Sequence, residues 1–148
     1  MSFVYHGALF LENKPKVDGG ECARLIQNLL PWVGHTSRWQ PGENVIDVLA
    51  SGRQIEQGTA IATFVDGRYP TYGHRHAALF LWPITSCTFD PKTGQCKIMA
   101  IKMMDQWNPH PGAHFKKDHI SSRDVLPYGK NAAAWPISDN ASMFYIIE

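Results

Sequence analysis

Apolar positions along the chain change period about one third of the way in. Residues 1 to 18 carry no sustained period and read as an extended or irregular lead. Glu21 to Leu30 then follows a helical rhythm. Ala23, Ile26 and Leu30 recur at spacings of three and four, and Leu25 and Leu29 widen the stripe, until Pro31 stops it. Residues 34 to 42 read as loop, and Asn44 to Leu49 as a second, weaker helical turn. Beyond Ser51-Gly52 the pattern becomes that of strands. Thr59 to Val65 is one, closed by Asp66-Gly67. His76 to Trp82 is a nearly unbroken apolar run, as expected of a strand buried on both faces, with Trp82 in the core. Asp90 to Gly94 has the chemistry of a hairpin turn, so Lys97 to Met104 is the return strand. His119 to Val125 and Ser142 to Ile147 complete the set. A leading helix followed by antiparallel strands predicts an α+β domain occupying residues 1–148.

Composition narrows the function classes. The 148 residues are 44% hydrophobic and 18% charged, which is globular and sized for one domain. Fourteen Lys and Arg face thirteen Asp and Glu, and no basic run occurs, so nucleic acid is not an expected partner. The longest apolar stretch, Ala77 to Ile84, falls well short of the roughly 20 residues of a membrane span, so no membrane insertion is expected. Met1 to His6 lacks the basic start and apolar core of a secretory signal. Three cysteines are too few for a disulfide scaffold, and Cys22 stands apart from Cys87 and Cys96.

Cys22 opens the leading helix, where unpaired backbone N–H groups and the helix dipole favour a thiolate. Gly19-Gly20 before it lets the backbone approach a substrate, and the Cys22 N–H is a candidate oxyanion donor. The competing expectation is a buried cysteine packed as a small hydrophobe. A thiol nucleophile requires a base, and the base an orienting group. His76 leads directly into the apolar strand and is the candidate base, while His74 falls in the preceding loop. If the turn pairs Phe89 with Gln95, His76 comes across from Asn108, and a shift of one to three residues brings Asp105 opposite. Asp105 is the preferred orienter because a carboxylate stabilises the imidazolium; in the unshifted register Gln106 or Asn108 takes that role. In that register Cys87 and Cys96 are one residue out of alignment, so a disulfide needs a shift and two buried thiols are the simpler expectation.

Four segments in this order carry a family resemblance: Gly-Gly-Glu-Cys-Ala-Arg-Leu-Ile-Gln (19–27), Gly-Thr-Ala-Ile-Ala-Thr-Phe (58–64) with Gly-Arg-Tyr-Pro (67–70), His-Ala-Ala-Leu-Phe-Leu (76–81) and Asp-Gln-Trp (105–107). With Asp139 to Tyr145, they resemble the type VI secretion amidase effectors, relatives of the NlpC/P60 and CHAP cell-wall peptidases. The resemblance implies a reduced papain-like fold, with the cysteine-bearing helix packed on an antiparallel sheet and Cys22, His76 and Asp105 as catalytic residues. It implies a toxin passed by the type VI secretion apparatus to the periplasm of a neighbouring Gram-negative cell, where it cuts peptidoglycan peptides. It further implies a cognate periplasmic immunity protein, and a made-in-cytoplasm product whose missing signal is explained by that route. The short 67–70 and 105–107 motifs resemble the members that cut the meso-diaminopimelate–D-alanine cross-link.

Trp39, Trp107 and His74 are the candidate substrate-binding residues, and neither cofactor nor metal is expected. Two rival readings remain at this level. His74, His76, His110, His114, Asp118 and His119 could assemble a zinc hydrolase, although Pro111-Gly112 interrupts the second cluster and no H-E-x-x-H signature is present. The five tryptophans, Trp32, Trp39, Trp82, Trp107 and Trp135, could instead line the groove of a non-catalytic cell-wall-binding module.

Overall fold

A computed structural model describes residues 1–87, 94, 96–109, 117–131 and 136–148. The turn expected at Asp90 to Gly94 and the residues His110, His114 and Trp135 fall outside these, Gly94 excepted. The fold is α+β, as the pattern predicts. Six strands, β1 (Pro41–Asn44), β2 (Ala60–Thr63), β3 (Ala77–Ser86), β4 (Lys97–Asp105), β5 (Ser121–Val125) and β6 (Phe144–Ile147), form one antiparallel sheet in the order β1-β6-β2-β3-β4-β5.

Alternation along the central strands sorts the core into two layers. Ala77, Leu79 and Leu81 of β3, with Met104, pack against Leu25 and Ile26 of helix α1 (Cys22–Leu29). Ala78 and Phe80, with Ile101 and Met103, pack against Val45 and Leu49 of helix α2 (Val45–Ala50). The cysteine-bearing helix therefore lies on the sheet as expected, and a second helix covers the opposite face. Its start is fixed by Asn44, whose side chain accepts from the Asp47 N–H at 3.1 Å and donates to the Ser142 carbonyl at 2.8 Å.

Several expectations are corrected. The loop read over 34 to 42 ends in β1, a short edge strand of sequence Pro-Gly-Glu-Asn that pairs only with β6 and has no apolar alternation to betray it. Trp82 is 40% exposed, because the doubly buried run ends at Leu81, and Lys102 lies over its ring at 5.9 Å. The lead is not idle chain. Phe3 and Tyr5 bond to Ala60 and Gly58, while Asn13 and Lys14 bond to Ile120, so it straps both β2 and the approach to β5.

The register of β3 on β4 decides two open questions. Leu79 pairs with Met104 and Ser86 with Lys97, one residue from the expected alignment at both ends, with irregularities between them. At the outer end this brings Cys87 opposite Cys96, and they form a disulfide with Cα atoms 4.4 Å apart, which corrects the expectation of two buried thiols. At the inner end the Leu79–Met104 pair sets the end of β4 beside the start of β3, where Asp105 meets His76.

Candidate active site

Cys22 is the first residue of α1 and is 7% exposed. The turn before it is held in place from β4's end. The Gln106 side chain accepts from the Val17 N–H and donates to the carbonyls of Val17 and Glu21, all at 2.9 Å. Asn108 donates to the Gly19 carbonyl at 2.7 Å and accepts from Lys16 at 2.9 Å. Gly20, at φ +87°, admits this clasp, since a Cβ there would stand 2.3 Å from the Asn108 Oδ1. Gln106 and Asn108, the alternatives to Asp105 as orienter, are thus engaged in holding the helix start.

His76 is 4% exposed at the entrance to β3, and its Nε2 lies 2.7 Å from Asp105 Oδ2. That leaves Nδ1 unengaged by Asp105, on an imidazole whose charge bears on Cys22. Phe144 and Trp107 stand edge-on to the ring at 6.3 and 6.1 Å. Asp105 is fully buried and accepts from three cationic side chains. Arg123 Nε reaches Oδ2 at 2.7 Å, and Lys117 Nζ bonds Oδ1. Trp107 roofs this cluster, with Lys117 Nζ 4.2 Å and Arg123 5.3 Å from its ring. Arg123 is braced in turn by Asp139 at 2.8 Å and the Ser138 carbonyl at 2.7 Å.

The electrostatics follow from these contacts. Burial pushes the Cys22 thiol up, but the His76 hydrogen bond and charge, with Tyr69 and the Ala77 backbone, hold it below its ordinary value. Burial pushes His76 down, and the Asp105 charge and hydrogen bond, then Cys22, outweigh it and raise the imidazole to about 9. Burial likewise opposes ionisation of Asp105, and the charges of His76, Arg123 and Lys117 hold its carboxyl far below the ordinary carboxylate range. At neutral pH these shifts favour a thiolate beside an imidazolium.

Tyr69 is a site residue that candidate selection passed over, although it stands within the 67–70 motif. Its hydroxyl lies 3.6 Å from Cys22 Sγ. Burial, then the charge and hydrogen bond of Cys22, raise the phenol well above its ordinary value, so it remains a donor. Lys117 and Arg123 were equally silent, because nothing in their spacing ties them to a carboxylate twelve and eighteen residues earlier.

The structure distributes the other candidates differently. Trp39 is 2% exposed and its ring meets Tyr69 edge-on at 5.1 Å, so it is a wall behind Tyr69 and presents no open face to a substrate. Trp107 is half-buried over the Asp105 cluster. His74 is exposed and lines a cleft of about 710 Å³ with Val65, Asp66, Arg68, Tyr69, Tyr72 and Ile137. Among the described residues, no three His, Cys, Asp or Glu side chains are grouped to hold a metal ion, and no helix is long and apolar enough to cross a membrane.

Comparison with known proteins shows relatives across the whole chain. The family model for Dae2, domesticated amidase effector 2, matches residues 5–147. A type VI secretion amidase effector 2 protein of Salmonella typhi is 32% identical over 155 residues, which span 100% of both chains. The solved structure of a type 6 secretion amidase effector 2 (Tae2) superposes with a TM-score of 0.73 at 32% identity, covering 99% of this chain and 94% of that one.

Proposed function

The chain belongs to the type VI secretion amidase effector 2 family, and from that premise we propose that it is a cysteine amidase hydrolysing an amide bond in the peptides of Gram-negative peptidoglycan. The observation that carries the mechanism is the His76 Nε2–Asp105 Oδ2 bond of 2.7 Å, which commits one ring nitrogen to a carboxylate and leaves the other as the base for a cysteine at a helix start. The chain order Cys, His, Asp and a helix-borne cysteine on an antiparallel sheet support a reduced papain-like, NlpC/P60-type fold.

His76 takes the Cys22 proton and Asp105 stabilises the resulting imidazolium. The thiolate attacks the amide carbonyl. Negative charge then gathers on the oxygen, and the Cys22 N–H, which has no intrahelical acceptor at this position, and the Tyr69 hydroxyl are the donors that meet it. His76 protonates the departing amine, leaving a thioester. A water molecule, deprotonated by His76, releases the acid and restores the thiol.

The preferred bond is the meso-diaminopimelate–D-alanine cross-link, on the motifs at 67–70 and 105–107. The setting is the periplasm of a neighbouring cell reached through the type VI apparatus, with a cognate immunity protein as partner. Muropeptide analysis of purified sacculi tests the reading. The native protein is expected to release new uncross-linked stems, and Cys22→Ala none. Equal release by that variant would overturn cysteine catalysis, and no release by either would overturn the amidase reading.

A further inference from the structure

Arg68 is a fixed cation that nothing described so far uses. It follows Asp66-Gly67, whose φ values of 51° and 74° make the tight turn joining Val65 to Arg68. The next residue, Tyr69, lines the same cleft, and its hydroxyl lies 3.6 Å from the Cys22 sulfur. Arg68 is exposed, and among the described residues no carboxylate or carbonyl accepts from its guanidinium; only its backbone is paired, with Val65. The other cations around the site are committed: Lys117 and Arg123 to Asp105, and Arg75 to the Thr71 carbonyl.

The cleft that Arg68 lines is shaped for a small ligand. Its volume of about 710 Å³ lies within the range of small-molecule sites. Tyr69 connects it to the nucleophile, and Tyr72, 83% exposed, with Pro70 and Ile137, supplies apolar surface. Asp66 is the one fixed negative charge among its lining residues and stands at the tip of the turn. A guanidinium that donates to none of the described residues is matched to a planar two-oxygen anion, which it holds with paired hydrogen bonds.

We propose that Arg68 forms a carboxylate-binding subsite of the active-site cleft, holding a free carboxylate of the peptide stem beside the amide bond attacked by Cys22. This rests on the peptidoglycan reading, since stem residues of that polymer carry such carboxylates one or two carbons from their amides. The subsite makes an acidic neighbour part of what the enzyme selects, and it positions the carbonyl by pinning the substrate on one side of the thiolate.

The test compares two cross-linked muropeptides, one with the diaminopimelate carboxylate free and one with it amidated, under kcat/KM measurement. The native protein is expected to prefer the free acid about tenfold, chiefly through KM, as befits a charged hydrogen-bonding pair. Arg68→Ala is expected to bring that ratio close to one, and Arg68→Lys to keep part of it. Asp66→Asn, which removes the like charge, is expected to lower KM for the acid. Circular dichroism checks that each variant is folded, and the exposed turn makes retention the expected result. A preference that survives in Arg68→Ala, or none in the native protein, would overturn the subsite while leaving the amidase reading intact. Failure of the native protein to cleave either substrate would overturn both.

Discussion

Asp105 is shared by His76, Lys117 and Arg123, and its single charge is the strongest influence raising the His76 imidazole to about 9. Activity is therefore expected to rise with pH as the thiolate–imidazolium pair forms and to fall as His76 loses its proton near pH 9. Asp105→Asn is expected to move the alkaline limb to lower pH, read from kcat/KM against pH; an unmoved limb would mean that another group sets it. The same variant leaves Lys117 buried without its counter-charge, while Arg123 keeps Asp139, so a loss of about 3–5 kcal/mol in urea unfolding is expected. Tyr69→Phe separates packing from chemistry. The ring that meets Trp39 and Phe64 is kept and only the hydroxyl beside Cys22 is lost. A fall in kcat of about 10²-fold is expected from loss of one oxyanion donor, and unchanged kcat would assign Tyr69 a packing role alone.

At the scale of elements, the start of α1 and the pairing of β3 with β4 position the chemistry. Gly20→Ala puts a Cβ in the left-handed region and 2.3 Å from Asn108 Oδ1, an atom already held by Lys16. We expect about 1–3 kcal/mol of destabilisation by chemical denaturation, together with reduced kcat because the helix start must shift. Most elements were legible because their signals are local: the apolar stripe of α1, the unbroken run of β3 and the stop at Pro31. So were Cys22 and His76, each placed by the element it opens. What escaped depends on pairing between distant segments. The polar edge strand β1 exists because β6 and Glu148 accept it, through the reciprocal bonds of Gln40 with Glu148. Asp105 and the cysteine pair both turned on one residue of register, which irregularities within the hairpin set and no periodicity records. Lys117 and Arg123 are defined only by the carboxylate they share.

Over the whole molecule, charge and covalent closure set the conditions under which the fold persists. His76 is raised from 6.5 to about 9, so its stabilisation is full below pH 6.5 and is lost as pH rises through 9. Asp105 is depressed from 3.8, so its contribution is present above that value and is lost as pH falls through its lowered folded-state range. Stability is accordingly expected to be broadest between these limits, and thermal melts across pH 3 to 10 check it. Closing the short loop between Cys87 and Cys96 is expected to contribute about 2–3 kcal/mol, read as a lower melting temperature after reduction. A further consequence lies in the clasp between Gln106 and the Val17–Glu21 turn, whose partners stand 85 and 89 positions apart in the chain. A reaction centre assembled from such remote segments has high contact order and no local nucleus of its own. It comes into being with the last long-range pairing and vanishes with the first cooperative unfolding. Catalysis and ellipticity should then decay along one curve on heating, making the activity itself a reporter of completed folding.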